Sequence, residues 1–542
     1  MAQASQETQP SVAKSTMLMT AATLVSRITG LVRTWAMAFA LGNSFVTSAY
    51  QVANNMPNVV FDLVAGGLLG AAFIPVYLLE KQQRKGGGNR FACNLLNLTI
   101  VVLGSLTLLS SLFAPQLIAT QTFTVGATDG VVELSVIFFR IFAFQIVFYG
   151  ISGIVTALLN ANRIYFLPAV APAINNICVI VSFFAYIPLS KVNPQMAIIV
   201  LGLGTTLGVA IQALIQLPAL KKMGFRYRLL IDLRDPALVE AMKIAIPTMI
   251  YIVGTLVAFS CRNAFSLSVG ENGPSTLLYA WTWFQLPYGV VAVSLSRALF
   301  TEMGDAVAKD DWRGLRSLVN SGLSGNLLLI MPLAGIMGVL SQPLMELFQA
   351  GAFDAQDVVY VAAVLQAWLA SLPFYAVLMF LYNVFAALRR FMRFALVSTV
   401  MVAVQCVLYY FLCRPDALGL LGITVADFIY YGACAVVLVA MLRSLIGPFR
   451  LPEVLWLAVR VALATATAMA AAYLVNAWLP SIGGMLGGLI SLVVAGGVGL
   501  AIAFSLCALF RIPQMQMVTS LLSRVAVKLH LKKPPRGRHA RR

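Results

Sequence analysis

The chain has 542 residues, of which 60% are hydrophobic and only 10% are charged, and its formal net charge at pH 7 is +18. Soluble chains carry about 25% charged residues, so this composition excludes a soluble globular protein and indicates an all-α polytopic membrane protein. The seven cysteines are scattered singly without a CxxC pair, which excludes a disulfide framework and predicts small apolar packing residues.

The chain opens with a polar segment, 1–14, that lacks the basic start and short apolar core of a cleaved signal peptide. We predict a cytoplasmic N-terminal tail here. Beyond it, about fourteen apolar runs are long enough to cross a bilayer as helices at about 1.5 Å per residue. The predicted spans are 15–42, 45–80, 92–119, 131–160, 164–189, 195–219, 237–268, 273–303, 315–341, 356–388, 392–413, 417–443, 455–478 and 483–510.

Basic residues set the expected orientation of these spans. Lys and Arg collect in alternate connections, whereas the intervening ones hold little beyond Lys191 and Arg414. The positive-inside rule then predicts that both termini are cytoplasmic, and an even number of spans agrees with this. The C-terminal tail, 511–542, carries nine Lys or Arg and no acid. We expect this tail to bind anionic membrane lipids rather than nucleic acid.

Two arginines, Arg27 and Arg33, lie inside the first predicted span. An arginine at the centre of a bilayer costs roughly 2.5–3.5 kcal/mol on insertion scales, so we expect both to face a polar cavity. Guanidinium groups bind phosphate oxygens in pairs and stay charged in a low-dielectric cavity. The pair therefore predicts a pyrophosphate site, and the alternative is that both side chains extend to a membrane interface.

Four further polar side chains in the spans are candidates for the same site. For Arg262 in span 7 and Arg140 in span 4, ligand binding and extension to the interface are equally supported. Asp62 in span 2 either pairs with one of the arginines or takes part in ion coupling. Asn58, one helical turn after Asn54, either hydrogen-bonds a sugar or phosphate group or joins two helices.

Similar features recur about 227–230 residues apart, which indicates an internal repeat of the kind found in transporters. Arg33 is matched by Arg262, and Pro57 is matched by Pro287. The segment 117–123 is echoed by 347–353. The predicted organisation is a six-helix lobe over 15–219, a cytoplasmic linker over 220–236, a second six-helix lobe over 237–445, two extra spans over 455–510 and the basic tail over 511–542.

Helix-interrupting residues cluster in spans 2 and 8, at equivalent places in the two repeats. Proline removes a backbone donor and glycine lowers helix stability, so both spans are expected to bend when the lobes move. The predicted hinge residues are Pro57, Gly66, Gly67, Pro287 and Gly289.

Several short stretches of the sequence together resemble a known family. They are Ser26-Arg27-Ile28-Thr29-Gly30-Leu31-Val32-Arg33, Pro57-Asn58, Ala72-Phe73-Ile74-Pro75, Leu159-Asn160-Ala161-Asn162-Arg163 and Pro287-Tyr288-Gly289-Val290. On these residues the chain resembles the MviN/MurJ lipid II flippases of the MOP exporter superfamily, over about residues 15–510. The first string is the most specific of them.

The resemblance implies a bacterial cytoplasmic (inner) membrane protein of fourteen helices, with a cationic central cavity and an apolar groove on spans 13 and 14 for a lipid tail. Two departures concern the cavity. Phe61 stands where the family tends to have an arginine, and Trp281 stands near the place of another. Arg262 is expected to replace one of the missing cations.

The sequence thus predicts a flippase that moves lipid-linked peptidoglycan precursor (lipid II) outward by alternating access, with its pyrophosphate on cavity arginines. Cell-wall synthesis proteins are a further expected partner. The alternatives are a flippase for another polyprenyl-pyrophosphate glycan and a non-transporting scaffold for cell-wall enzymes. No phosphate-binding loop occurs, and both histidines, His530 and His539, lie in the tail. We therefore expect no enzymatic activity, no cofactor and no metal site.

Overall fold

The computed structural model describes residues 12–63, 73–83, 87–126, 128–234, 236–414, 416–480 and 482–516. The regular elements within these ranges are helices. They are α1 (Val12–Leu41), α2 (Phe45–Phe61), α3 (Phe73–Gln83), α4 (Gly87–Leu112), α5 (Ala114–Thr122), α6 (Gly130–Phe142), α7 (Gln145–Ala161), α8 (Phe166–Val192), α9 (Pro194–Leu214), α10 (Leu217–Lys222), α11 (Pro236–Leu267), α12 (Gly273–Pro287), α13 (Val293–Ala308), α14 (Trp312–Val339), α15 (Ser341–Glu346), α16 (Ala355–Leu369), α17 (Leu372–Ala387), α18 (Phe391–Leu412), α19 (Leu421–Ile446), α20 (Leu451–Trp478) and α21 (Gly484–Leu509).

Many of these helices are long and apolar enough to cross a bilayer. Within the described residues, ten single helices meet that condition, and two bent pairs bring the number to twelve. The prediction of an all-α polytopic membrane protein is therefore confirmed, and the count of fourteen spans stays a prediction.

The two bent pairs each occupy one predicted span. The axis turns by 45° between α6 and α7, and by 53° between α16 and α17. Pro373 lies in the first turn of α17, where its missing N–H leaves no helical hydrogen bond unmade. A new helix can therefore begin at Leu372 at an angle to the preceding one.

Several other predicted spans are not single helices, among them the two that contain the candidate hinge residues. The run 45–80 contains α2 and α3, and residues 64–72 between them lie outside the described ranges. In the run 273–303, α12 ends at Pro287 and a π-helical turn, Tyr288–Ala292, leads into α13. Proline has no backbone N–H to donate to the helix, and this favours such a local change of helical pitch.

The described residues form two compact units, each assembled from segments that are distant in the sequence. The first comprises residues within 1–282, 348–361 and 395–426, and the second comprises residues within 283–347, 362–394 and 427–516. These units do not follow the predicted lobe boundaries at 219 and 237. The division into two six-helix lobes therefore stays a prediction.

The second unit contains a buried carboxylate. Asp427 on α19 is fully buried, and its Oδ2 accepts a hydrogen bond of 2.9 Å from the Trp368 indole Nε1 of α16. The Trp368 ring packs on Phe284, and Phe284 packs on Tyr375. The indole N–H satisfies part of the carboxylate's hydrogen-bonding capacity, which a buried polar group requires. No feature of the sequence indicates this partner for Asp427.

Candidate functional site

Arg33 lies in a polar part of the first unit. Its half-buried side chain on α1 is near enough to the hydroxyls of Tyr50 and Tyr149 for its charge to act on both. The Tyr149 hydroxyl donates to Gln145 Oε1 at 3.3 Å and lies near the Asn58 side chain. The predicted candidates Arg33 and Asn58 thus belong to one neighbourhood, on α1, α2 and α7.

Arg27 is exposed, six residues before Arg33 on the same helix. At 3.6 residues per turn, six residues advance about 9 Å along α1 and turn the Cα–Cβ direction by about 120° away from that of Arg33. The face of α1 that carries Ser26 and Thr29 contacts α8. There Asn176 Nδ2 donates to the Ser26 carbonyl oxygen and to the Thr29 hydroxyl. Arg27 and Arg33 can therefore share a ligand only by extending their side chains toward it.

Arg262 of α11 stacks over the Trp281 indole ring of α12, with 5.5 Å between the guanidinium carbon and the ring centroid. Arginine over tryptophan is a favourable cation–π arrangement, and it orients the guanidinium plane. In the sequence, Trp281 stands out only as a departure from the family pattern. In the structure, Trp281 contacts Arg262, the arginine that is expected to replace the missing cation.

The remaining candidates are more exposed. Arg140 lies in the last turn of α6 with an exposed side chain, and Asp62, which follows α2, is also exposed. In the described part of the chain, no ion pair joins Asp62 to Arg27, Arg33 or Arg140. Their roles at a ligand site stay predictions.

The candidate hinge residues fall at different places. Pro57 lies inside α2, Pro287 ends α12 and Gly289 is in the π-helical turn. Gly66 and Gly67 lie outside the described residues. Whether these residues act as hinges stays a prediction.

Residues of the two predicted repeats meet in a polar contact within the first unit, at the turn between α1 and α2. Asn43 Nδ2 donates to Thr276 Oγ1 at 3.0 Å, and Ser275 Oγ donates to Asn43 Oδ1. Tyr279 donates its hydroxyl proton to the Gly42 carbonyl at 2.9 Å. Asn43, Ser275 and Thr276 are buried. We call this set, together with the contacts of the next paragraph, the interrepeat latch.

A second part of the latch involves α5 and α11. Gln121 donates to Ser260 Oγ and accepts from Asn263 Nδ2 at 3.0 Å. The Thr124 hydroxyl donates to the Ala264 carbonyl. These partners are uncharged, so each bond contributes only about 0.5–1.5 kcal/mol net and is insensitive to salt.

The two parts of the latch are related by the sequence repeat. The Phe39 carbonyl near the end of α1 accepts from Ala352 N at 2.9 Å, and the Ala264 carbonyl near the end of α11 accepts from Thr124. Thr124 and Ala352 are 228 positions apart. Each repeat thus presents a loop that bonds to a terminal carbonyl of the other repeat's first long helix.

The aromatic side chains beside these loops follow the same relation. Phe353 packs edge-on against Tyr279, with ring centroids 5.1 Å apart, and Phe123 packs edge-on against Phe265 at 5.7 Å. Phe123 and Phe353 are the last residues of the two echoed segments. The sequence shows the echo, but not that the two segments contact the opposite repeat.

Gly42 offers a test of how tightly the latch is packed. Its φ of +67° is left-handed, and an added Cβ would lie 2.4 Å from the Ala352 carbonyl oxygen. Gly224 has φ +83° with nothing within 4 Å of an added Cβ. Both alanine variants carry the left-handed cost of about 1–2 kcal/mol. We expect Gly42→Ala to lower the thermal unfolding midpoint in detergent clearly more than Gly224→Ala. Equal shifts would contradict this close packing.

The second unit carries two apolar grooves on opposite sides of α14. One groove of about 300 Å³ lies between α14 and α21. It is lined by Leu333, Ile336, Met337, Leu340, Leu492, Val493, Gly496, Gly497 and Leu500. Another of about 300 Å³ lies between α14, the bend of α16 and α17, and α20. Most of the residues that line the two grooves are apolar or glycine.

Comparison with known proteins bears on the whole of this arrangement. The sequence profile described as lipid II flippase MurJ matches residues 37–494, which is most of the chain. The chain belongs to the lipid II flippase MurJ family. A probable lipid II flippase MurJ of Bdellovibrio bacteriovorus is 31% identical, over 68% of this chain and 70% of that protein. The lipid II flippase MurJ of Burkholderia cenocepacia is 27% identical, over 63% of this chain and 67% of that protein.

Solved structures support the MurJ fold. A structure of lipid II flippase MurJ in an inward closed conformation superposes with a TM-score of 0.75 at 20% identity. The match covers 91% of this chain and 98% of the chain in that MurJ structure. An inward-facing MATE multidrug transporter of the MOP superfamily superposes with a TM-score of 0.59 at 14% identity. This match covers 81% of this chain and 96% of the transporter's chain. At these identities the two likenesses concern the fold alone.

Proposed function

We propose that this MurJ family member moves lipid II across the bacterial cytoplasmic membrane by holding its pyrophosphate on arginines of α1 and α11. The observation that carries the proposal is a pair of guanidiniums inside a membrane-crossing helix, with no ion pair at either among the described residues. Arg33 is the central ligand, since it is half-buried beside Tyr50 and Tyr149. Arg27 joins it from the exposed side of α1, and Arg262 reaches the same anion from α11.

The interrepeat latch is the part that must open during transport. Its loops fall in connections that are poor in Lys and Arg, so they belong to the outer side in the predicted topology. While the latch is closed, the head group can enter only from the cytoplasmic side. Because the latch consists of uncharged hydrogen bonds of modest net strength, substrate binding can supply enough free energy to open it.

The lipid tail requires an apolar path of its own. We assign this role to the groove between α14 and α21, whose lining is hydrocarbon and glycine. A membrane potential that is negative inside favours outward movement of an anion by about 2.3 kcal/mol per charge per 100 mV. Anionic lipids at the basic tail and cell-wall synthesis proteins complete the proposed set of partners.

Depletion of the protein in its own host tests the substrate. We expect lipid II to accumulate on the inner leaflet, where an externally added lipid II hydrolase cannot reach it, and wild-type protein to restore its exposure. Arg33→Ala should not restore it. Normal lipid II exposure together with loss of another surface glycan would identify a different polyprenyl-pyrophosphate substrate for the same fold.

A further inference from the structure

The connection between α10 and α11 is held against α4 by three asparagines. Asn89 Nδ2 donates to the Arg226 carbonyl at 2.8 Å, and its Oδ1 accepts from Arg226 N at 3.2 Å. Asn94 makes the same two-way contact with the backbone of Asp232, at 2.8 and 2.7 Å. Each amide thus holds both backbone groups of one residue, which fixes the two ends of the segment 226–232.

Asn97 holds the middle of this segment. Its Nδ2 donates to the Arg228 carbonyl at 2.8 Å and to the Leu230 carbonyl at 3.0 Å, and its Oδ1 accepts from the Tyr227 hydroxyl at 2.6 Å. The two carbonyls flank Leu229, so Leu229 is the tip of a loop that runs along α4 and returns. Asn97 is only 2% exposed and bonds to the loop on both sides of Leu229.

The loop exposes several large apolar side chains that nothing in the described chain covers. Leu229 is 82% exposed and Leu233 is 66% exposed, and Tyr227 and Ile231 are at least half exposed. A loop with four large exposed apolar side chains is stable beside hydrocarbon rather than in water.

The position of Asn97 along α4 sets the depth of this tip. Helix α4 has 26 residues, or about 39 Å, which exceeds a hydrocarbon core of about 30 Å by roughly 9 Å. Asn97 lies ten residues, about 15 Å, from the first residue of α4. With the excess length at this end, Asn97 lies about 6 Å inside the hydrocarbon, so the side chains next to it lie near its edge.

The charges around the loop indicate what surrounds it. Segment 221–234 contains five basic residues, namely Lys221, Lys222, Arg226, Arg228 and Arg234, and these are exposed. Its one acid, Asp232, is paired with Arg90 at 3.3 Å. Apolar side chains beside exposed cations are the composition of segments that insert into an anionic lipid surface.

We propose that the 226–233 loop is a membrane anchor, which inserts Leu229 and Ile231 at the edge of the hydrocarbon while its basic residues bind anionic head groups. The three asparagines act as a clamp that holds the loop at this depth. The anchor is independent of the flippase mechanism and of the basic C-terminal tail.

Fluorescence quenching in vesicles containing phosphatidylglycerol tests the anchor. The fluorophore NBD is attached to Leu229→Cys in a background in which Cys178, Cys261 and Cys406, the three cysteines that are not buried, are alanine. Lys309→Cys, exposed in the connection between α13 and α14, is the matched aqueous position. We expect NBD at 229 to emit at shorter wavelength, to be quenched by lipids with a shallow nitroxide, and to be severalfold less sensitive to iodide than NBD at 309.

Two further variants separate the parts of the proposal. Asn97→Ala should raise iodide quenching at 229, because it removes the clamp at the tip. Arg226→Gln with Arg228→Gln should reduce the difference between phosphatidylglycerol and phosphatidylcholine vesicles. Equal iodide quenching at 229 and 309 would overturn the proposal, and so would protection from both iodide and nitroxide lipids, which would indicate a protein cover. Since the readout is position, Arg33→Ala should leave it unchanged whether or not lipid II is the substrate.

Discussion

Replacement of Arg33 by alanine should abolish lipid II transport while the protein remains folded in the membrane. A guanidinium that binds a pyrophosphate in a bidentate manner makes two charge-assisted hydrogen bonds, each of about 1.5–3 kcal/mol. Their loss predicts a decrease in transport of about 10²-fold or more. Arg33 is half-buried and makes no ion pair in the described part of the chain, so its removal leaves no uncompensated carboxylate behind.

The measurement is the rate at which lipid II becomes accessible on the far leaflet of proteoliposomes. Arg33→Lys keeps the charge but loses the bidentate geometry, so we expect partial activity. Lys191→Ala, an exposed cation in the last turn of α8, is the control for a general loss of positive charge and should transport normally. Full activity of Arg33→Ala, with normal expression, would exclude this arginine as a ligand of the pyrophosphate.

Much of the fold follows from the sequence because a bilayer permits few alternatives. Backbone groups in hydrocarbon must be satisfied within the segment, so long apolar runs become helices. The bends at α6 and α7, and at α16 and α17, were not predicted. Hydropathy averages over a whole span and carries no information about a change of axis within it.

The candidate site was predicted unevenly for a similar reason. Arginines such as Arg33 are conspicuous in an apolar run, and the structure gives Arg33 and Asn58 a shared polar neighbourhood. The latch residue Asn43 and the clamp residue Asn97 were missed, since a single asparagine in sequence does not reveal its partner more than 100 positions away. A usable signal did exist: small polar residues follow Gly42 and Gly273 at nearly the repeat offset.

A covalent link across the interrepeat latch should stop transport completely and reversibly. Asn43 Nδ2 and Thr276 Oγ1 are 3.0 Å apart, so cysteines at these two positions lie within reach of a short bifunctional thiol reagent. The thiols of Cys261 and Cys406 lie close to each other, so both are replaced by alanine to prevent a competing link. If the latch must open once per cycle, the linked protein should bind lipid II but fail to release it on the far side, and cleavage of the reagent should restore transport.

The decisive comparison is a link of the same chemistry that does not join the two repeats. Ser44 Oγ and Thr47 Oγ1 are 3.4 Å apart at the start of α2, so a Ser44→Cys and Thr47→Cys pair carries the reagent beside the latch but within one repeat. This pair should transport at nearly the unlinked rate. Equal inhibition of both pairs would mean that the reagent acts by its bulk, and transport by the linked 43–276 pair would show that this contact stays closed throughout the cycle. Loss of transport in the 43–276 pair alone would make separation of the repeats at Asn43 an obligatory step, because a hydrogen bond can break in every cycle whereas a covalent link cannot.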